Sequence, residues 1–184
     1  MDSEEQDCDD RAERFERLFR STLRRVTAYC LRRTDRSAAH DAVSEVYAVA
    51  WRRRARLPDD DHQALLWLLG VARNVLANQA RSQRRWFRLL RRAGERAEVV
   101  TPAFDTGTPD LDAALAALSD ADREVLRLAY WDDLSHDDIA AVLGIGTGAV
   151  TTRLHRARQR LRPHLTDSGH AHDTSEGELT DARR

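Results

Sequence analysis

The chain has 184 residues, 41% hydrophobic and 33% charged, enough for one ordinary domain or two small ones with modest cores. Its net charge of −1 argues against a polyanion binder only until the distribution is read: residues 11–100 carry 21 Arg against 10 acids, and residues 145–165 carry five Arg and no acid. Two isolated cysteines, Cys8 and Cys30, without CxxC spacing argue against a disulfide framework or zinc site, and the longest apolar run, Ala64 to Ala72, is too short to span a bilayer.

Residues 1–10 hold six acids and no base and read as an acidic, disordered lead without a hydrophobic signal region. Residues 11–87 read as a first helical block. Phe15, Leu18, Phe19, Leu23, Val26 and Cys30 recur at helical spacing, with Arg on the opposite face. A second helix is expected from near Ser37, carrying Val43, Val46, Tyr47, Ala50 and Trp51 on one side. Leu57 to Asp61 then breaks the pattern. A third helix is expected from about Ala64 to near Arg85, its first turns apolar nearly all round and therefore buried, Trp67 included. Residues 88–108 read as a linker, ending in a run of Thr, Pro, Asp and Gly.

Residues 109–165 read as a second helical block. Thr108-Pro109 supplies an N-cap followed by Pro at the first helical position. Ser119 to Asp122 resembles a capping box, and Ser135 to Asp138 repeats it before Ile139, Val142 and Leu143. Gly144 stands where a left-handed residue ends that helix. Thr147 is expected to cap the last helix, which bears Val150, Leu154, Ala157 and Leu161. Residues 166–184 are polar and read as a solvated tail, in which His170 and His172 are solvated rather than a metal pair.

Ala140, Gly144 and Val150 have the spacing of a helix-turn-helix. The first helix needs a small side chain at the crossing, the turn a residue that accepts positive φ, and the second helix an apolar residue to lock against the first. At about 100° per residue, the face away from Val150 and Leu154 presents Thr152, His155, Arg156 and Gln159, flanked by Thr151, Arg153 and Arg158. Arg can bridge O6 and N7 of guanine, Gln can bridge adenine, and Thr can meet a thymine methyl. Every basic residue in the chain is Arg, so each phosphate contact would be made by a planar guanidinium fork. The alternative for this segment is a helical hairpin with a solvated basic face.

In these residues the chain resembles the region-four domain of extracytoplasmic-function (ECF) sigma factors. The resemblance lies in Leu118 to Leu126, in Leu134 to Ile145, and in the run Val150 to Arg158 with its Arg-Leu-His-Arg-Ala-Arg close. The first block is similar to region two of the same family: Asp41 to Arg52 looks like its polymerase-docking helix, and Ala64 to Asn74 like the helix facing the −10 element. Departures are Ser44 where Gln is common, Gly146 where Ser or Pro is common, Thr151 where a basic residue is common, and three acids, Asp59 to Asp61, in the strand-capturing loop at Pro58 to Gln63. The last two bear on which promoter is read.

The resemblance implies an all-α protein of two small helical domains that lends promoter specificity to RNA polymerase and is not an enzyme. It places Asp41, Ser44, Glu45, Ala48 and Arg52 against the polymerase clamp, and the second domain on the flap. It places Asp60, Asp61, His62, Arg73, Asn74 and Arg81 at the −10 element, and Thr151, Thr152, Arg153, His155, Arg156, Arg158 and Gln159 at −35 duplex. It further implies core polymerase, promoter DNA and an anti-sigma factor as partners, a cytoplasmic location, and no cofactor, metal or stable membrane insertion. The basic and aromatic stretch Arg84 to Arg92 could follow upstream DNA, bind an inhibitory partner or lie on a membrane surface. Two other classes compete: a polymerase-independent helix-turn-helix regulator, and a nuclease using Asp59, Asp60 and Asp61 with Mg²⁺. Three adjacent carboxylates cannot all converge on one ion.

Overall fold

The structure, a computed structural model, describes residues 2–92 and 109–167, with side chains described within 11–91 and 109–163. The described residues are all-α, with no strand. The first group comprises α1 (Asp2–Leu31), α2 (Arg36–Arg52), a 3-10 turn at Arg54–Arg56, and α3 (Asp61–Arg92). The second comprises α4 (Pro109–Ala117), α5 (Asp120–Tyr130), α6 (His136–Leu143) and α7 (Thr147–Asp167).

In the first group all three helices pack on one another. Val26, Tyr29 and Cys30 of α1 meet Ala39, Ala42, Val46 and Ala50 of α2 and Leu68, Leu69 and Ala72 of α3, all essentially inaccessible. The alanines let the helices approach closely. An aromatic cluster closes one end: Phe19 meets Tyr47 edge-on at 4.7 Å, and Phe15 meets Trp51 at 5.1 Å. The Tyr47 hydroxyl shares a hydrogen bond of 2.9 Å with Thr22, so its polar tip is satisfied inside the core.

Several helix ends differ from the pattern-based expectation. Residues 2–10, read as a disordered lead, are helical in backbone. The acids collect at the positive end of the helix dipole, and neither Pro nor Gly interrupts the first 31 residues. α3 begins at Asp61 rather than near Ala64, because the Asp60 carboxylate accepts the Gln63 N–H at 2.8 Å and caps it. The loop expected at Pro58 to Gln63 therefore ends at Asp60. α3 also runs past Arg85 to Arg92, absorbing residues 88–92 of the expected linker, since these are strong helix formers. Residues 93–108 and 168–184, with His170 and His172, lie outside the described residues.

The second group is organised by its caps. Ser119 accepts the Asp122 N–H at 3.2 Å, but the reciprocal arm of a box is replaced: the Asp122 carboxylate takes Arg160 of α7 at 2.7 Å. Ser135 and Asp138 form the complete box. Gly144 has φ of 65°, the left-handed conformation that ends α6, and Ile145 N–H closes back on the Ala140 carbonyl at 3.1 Å. Thr147 does not cap as expected. It lies within α7, and its hydroxyl donates to Asp137 at 2.9 Å.

A candidate nucleic-acid and polymerase interface

The helix-turn-helix is built as its spacing implies. Ala140 is buried where α6 meets α7, and Val150, Leu154, Ala157 and Leu161 bury the inner face of α7. Thr151, Thr152, His155, Arg156, Arg158 and Gln159 are exposed. Their surroundings differ. Arg156 has no hydrogen bond or ion pair among the described residues. Arg158 donates from Nε to the Tyr130 hydroxyl at 2.6 Å and lies 5.5 Å from that ring's centroid. The Thr151 and Thr152 hydroxyls fold back onto the carbonyls of Thr147 and Gly148 at 3.1 and 2.9 Å. Arg153 is half-buried and lines a cavity beside α3.

On α2 the five docking candidates share one face. Asp41, Ser44, Glu45, Ala48 and Arg52 are all exposed, opposite the buried Ala39, Ala42, Val46 and Ala50. Trp51, expected on the core side, is 43% exposed beside them.

The −10 candidates are less uniform. Asp60 caps α3, Asp61 opens it, and Arg81 donates to the Asn78 side-chain carbonyl. The His62 ring Nε2 meets the Asp138 carboxylate of α6 at 2.7 Å. Arg73 and Asn74 line a cavity of about 460 Å³ between α3 and α6. Trp67, expected in the core, is half-buried and lines the same cavity, as do Gln63 and Arg53. The family resemblance marks Gln63, as the end of the loop at Pro58 to Gln63, whereas no sequence signal marks Arg53. Asp59 pairs with Arg14 at 3.1 Å and Asp60 is occupied as a cap, so the three acids diverge rather than converging on an ion. On the far end of α3, Trp86 and Leu89 are 58% and 57% exposed.

The family described as Sigma-70 region 2 matches residues 18–86, and the one described as Sigma-70, region 4 matches residues 109–161. ECF RNA polymerase sigma factor SigL of Mycobacterium tuberculosis is 37% identical over 152 residues, spanning 77% of this chain and 82% of its own. The chain belongs to the ECF sigma factors. Another relative, sigma factor RpoE of Cereibacter sphaeroides, is 24% identical over 158 residues, spanning 83% and 86% of the two chains. Among solved structures, the sigma factor RpoE from Bartonella quintana, in complex with the anti-sigma factor NepR, superposes with a TM-score of 0.63 at 25% identity. That match covers 84% of this chain and 98% of that one. CnrH, in complex with the cytosolic domain of CnrY, shares the fold at a TM-score of 0.54 and 22% identity, covering 83% and 88%. In this sigma factor no helix among the described residues is long and apolar enough to cross a membrane.

The two regions of this sigma factor meet along a seam that the sequence patterns did not mark. Arg33, after the end of α1, donates from Nε to both Glu124 carboxylate oxygens at 3.0 Å and from a terminal nitrogen to Asp132 at 2.9 Å. Arg32 donates to the other Asp132 oxygen, and the Tyr29 hydroxyl donates to Glu124 at 3.0 Å. The Arg33 guanidinium also stacks 3.5 Å above the Tyr29 ring. Burial works against the Arg33 cation, but Tyr29, Glu124 and Asp132 outweigh it and hold its pKa above the ordinary guanidinium value. Nearby Arg127 goes the other way. Burial, with Arg33 and Arg123 beside it, lowers its pKa to about 10.

Proposed function

We propose that this sigma factor docks on core RNA polymerase through α2, reads −35 duplex through α7, and holds the melted −10 strand with the loop before α3 and α3 itself. The outward face of α7 carries this reading. Six of the seven −35 candidates are exposed, and Arg156, on the outward face, is not engaged by any described residue. Such a helix enters the major groove, where central side chains reach base edges and peripheral ones reach phosphates.

Residues 11–100 carry most of the chain's Arg and suit a single strand as well as a duplex. Melting is then driven by binding, since capturing an extruded base offsets unstacking of roughly a few kcal/mol. The protein contributes recognition rather than chemistry and works in the cytoplasm, where polymerase is. The NepR complex of the Bartonella quintana relative supports an anti-sigma partner here too. A polymerase-independent regulator is not favoured, because residues 18–86 match region 2 and not a sensing or dimerisation module.

The test is reconstitution. Purified chain is added to core polymerase on sheared genomic DNA and the transcripts are sequenced. Start sites sharing two upstream elements are expected. Stable absence of a complex with core polymerase would reject the reading.

A further inference from the structure

Five arginines line one cavity of about 420 Å³: Arg33 just beyond α1, Arg73 of α3, Arg123 and Arg127 of α5, and Arg153 of α7. Two carboxylates line it as well, those of Asp120 and Glu124. Five guanidinium groups less two carboxylates leave an excess of three positive charges. Both carboxylates are already engaged. Glu124 accepts from Arg33 Nε and from the Tyr29 hydroxyl, each at 3.0 Å, and Asp120 lies 3.5 Å from Arg123. The nearby Asp132 carboxylate is held by Arg32 and Arg33.

The excess therefore falls on Arg73, Arg127 and Arg153. Arg73 and Arg153 have no hydrogen bond or ion pair among the described residues. Arg127 is half-buried, and burial together with the neighbouring cations Arg33 and Arg123 depresses its pKa to about 10. Its surroundings thus under-compensate its charge, and an anion placed beside it relieves that penalty. Like charges gathered at such a cost mark a functional site more often than a scaffold.

The ligand chemistry follows from the donors. Guanidinium forks match phosphate oxygens in pairs, and three of them around one space exceed what a single phosphate needs. The volume is that of a small-molecule site, and Leu76 and Leu143 add apolar wall. Arg73 and Arg153 are also assigned above to promoter DNA, but a duplex cannot enter a cavity of this size. What the cavity presents is both guanidinium groups, with Arg127, to one small anion.

We propose that Arg73, Arg127 and Arg153 form a binding site for a small oligophosphate, a chain of two or three phosphates that is free or carried by a nucleotide. The site needs neither polymerase nor promoter, so it stands independently of the promoter reading.

The experiment uses the full chain and calorimetric titration with inorganic triphosphate at physiological ionic strength, with inorganic phosphate, ATP and GTP as further probes. Triphosphate should bind at one site and more tightly than phosphate. Arg73→Ala, Arg127→Ala and Arg153→Ala should each weaken it about ten-fold or more, the loss of one charged hydrogen-bonding group. Arg24, exposed on α1, does not line the cavity. Arg24→Ala should change binding less than about two-fold, because a distant exposed charge is screened. Circular dichroism checks helicity, and if Arg127→Ala loses it, the other two cavity variants decide. ATP or GTP binding more tightly than triphosphate makes the occupant a nucleotide, and equal binding makes it the phosphate chain; both uphold the site. Three results would each overturn it: no binding, equal weakening by Arg24→Ala, which is general attraction to an Arg-rich chain, or an effect of Arg73→Ala or Arg153→Ala but not of both.

Discussion

Arg156 and Arg158 lie two positions apart on α7 and have different surroundings. By helical count Arg156 sits about 120° from Val150 and Arg158 about 80° on the other side, at the edge. The structure adds that Arg158 is tied to Tyr130 whereas Arg156 is not. Arg156→Ala should cost roughly 1–3 kcal/mol and relax preference at one −35 position. Arg158→Ala should weaken all sequences about equally and lower the salt slope by about one. Salt titrations of holoenzyme on matched and single-base-changed −35 duplexes check both. Identical behaviour of the two variants would refute the orientation of α7. Asp138 is a second residue whose environment makes a prediction. Slight burial opposes its charge, but hydrogen bonds from His62 and Ser135 outweigh it and hold its pKa below the ordinary carboxylate value. An acid with a depressed folded pKa stabilises above its unfolded pKa, and that stabilisation is lost as pH falls through the folded value. Asp138→Asn should therefore melt lower than wild type at neutral pH, with the gap closing in acid. A gap that stays constant down to pH 3 would contradict this.

At the scale of elements, caps and faces make the predictions. Ser135 holds the N-terminus of α6, the helix that positions α7, through both arms of its box. Ser135→Ala should cost about 1 kcal/mol in chemical denaturation. A cost indistinguishable from zero would mean that tertiary packing alone holds α6. On α2, the core uses one face and leaves the face bearing Asp41 and Glu45 in solvent. Reversing both charges to Lys should weaken core polymerase binding while leaving the melting temperature within a degree or two. Unchanged holoenzyme affinity would remove α2 from the docking role. The helix ends were the least legible part. Capping by Asp60 lies outside any apolar pattern, so periodicity placed the start of α3 too late. Residues 88–108 read as a linker, yet the helix propensity of Arg and Leu carries α3 on to Arg92.

At the scale of the whole molecule, the question is whether region 4 stands alone. Leu115, Val125, Leu128, Ile139, Val150 and Leu154 are buried, and they come from its own four helices. Region 2 meets it through ion pairs and hydrogen bonds at the end of α1 and through apolar packing of α3 on α6. A fragment spanning residues 109–165 should therefore be helical by circular dichroism and melt cooperatively. A disordered spectrum would mean that the two regions are one folding unit and that the seam is structural.

The sequence by itself determined the helices and the chemistry they carry. Ser119, Ser135 and Gly144 punctuate region 4 through bonds to residues within a few positions, and the Val150 to Leu161 stripe faces inward because helical period leaves it no other direction. Such signals are local, so they survive in a one-dimensional pattern. Only the tertiary structure decided the seam. Arg33 meets Glu124 across 91 positions and Asp132 across 99, and no spacing rule connects residues so far apart. In the sequence, Arg33 is one of 30 identical cations and Glu124 one acid on an amphipathic helix. The same holds for Trp67, whose apolar neighbours put it in the core until α6 was seen to lie across it with a cavity between. Which charge is buried, and against what, depends on how helices from distant parts of the chain come together.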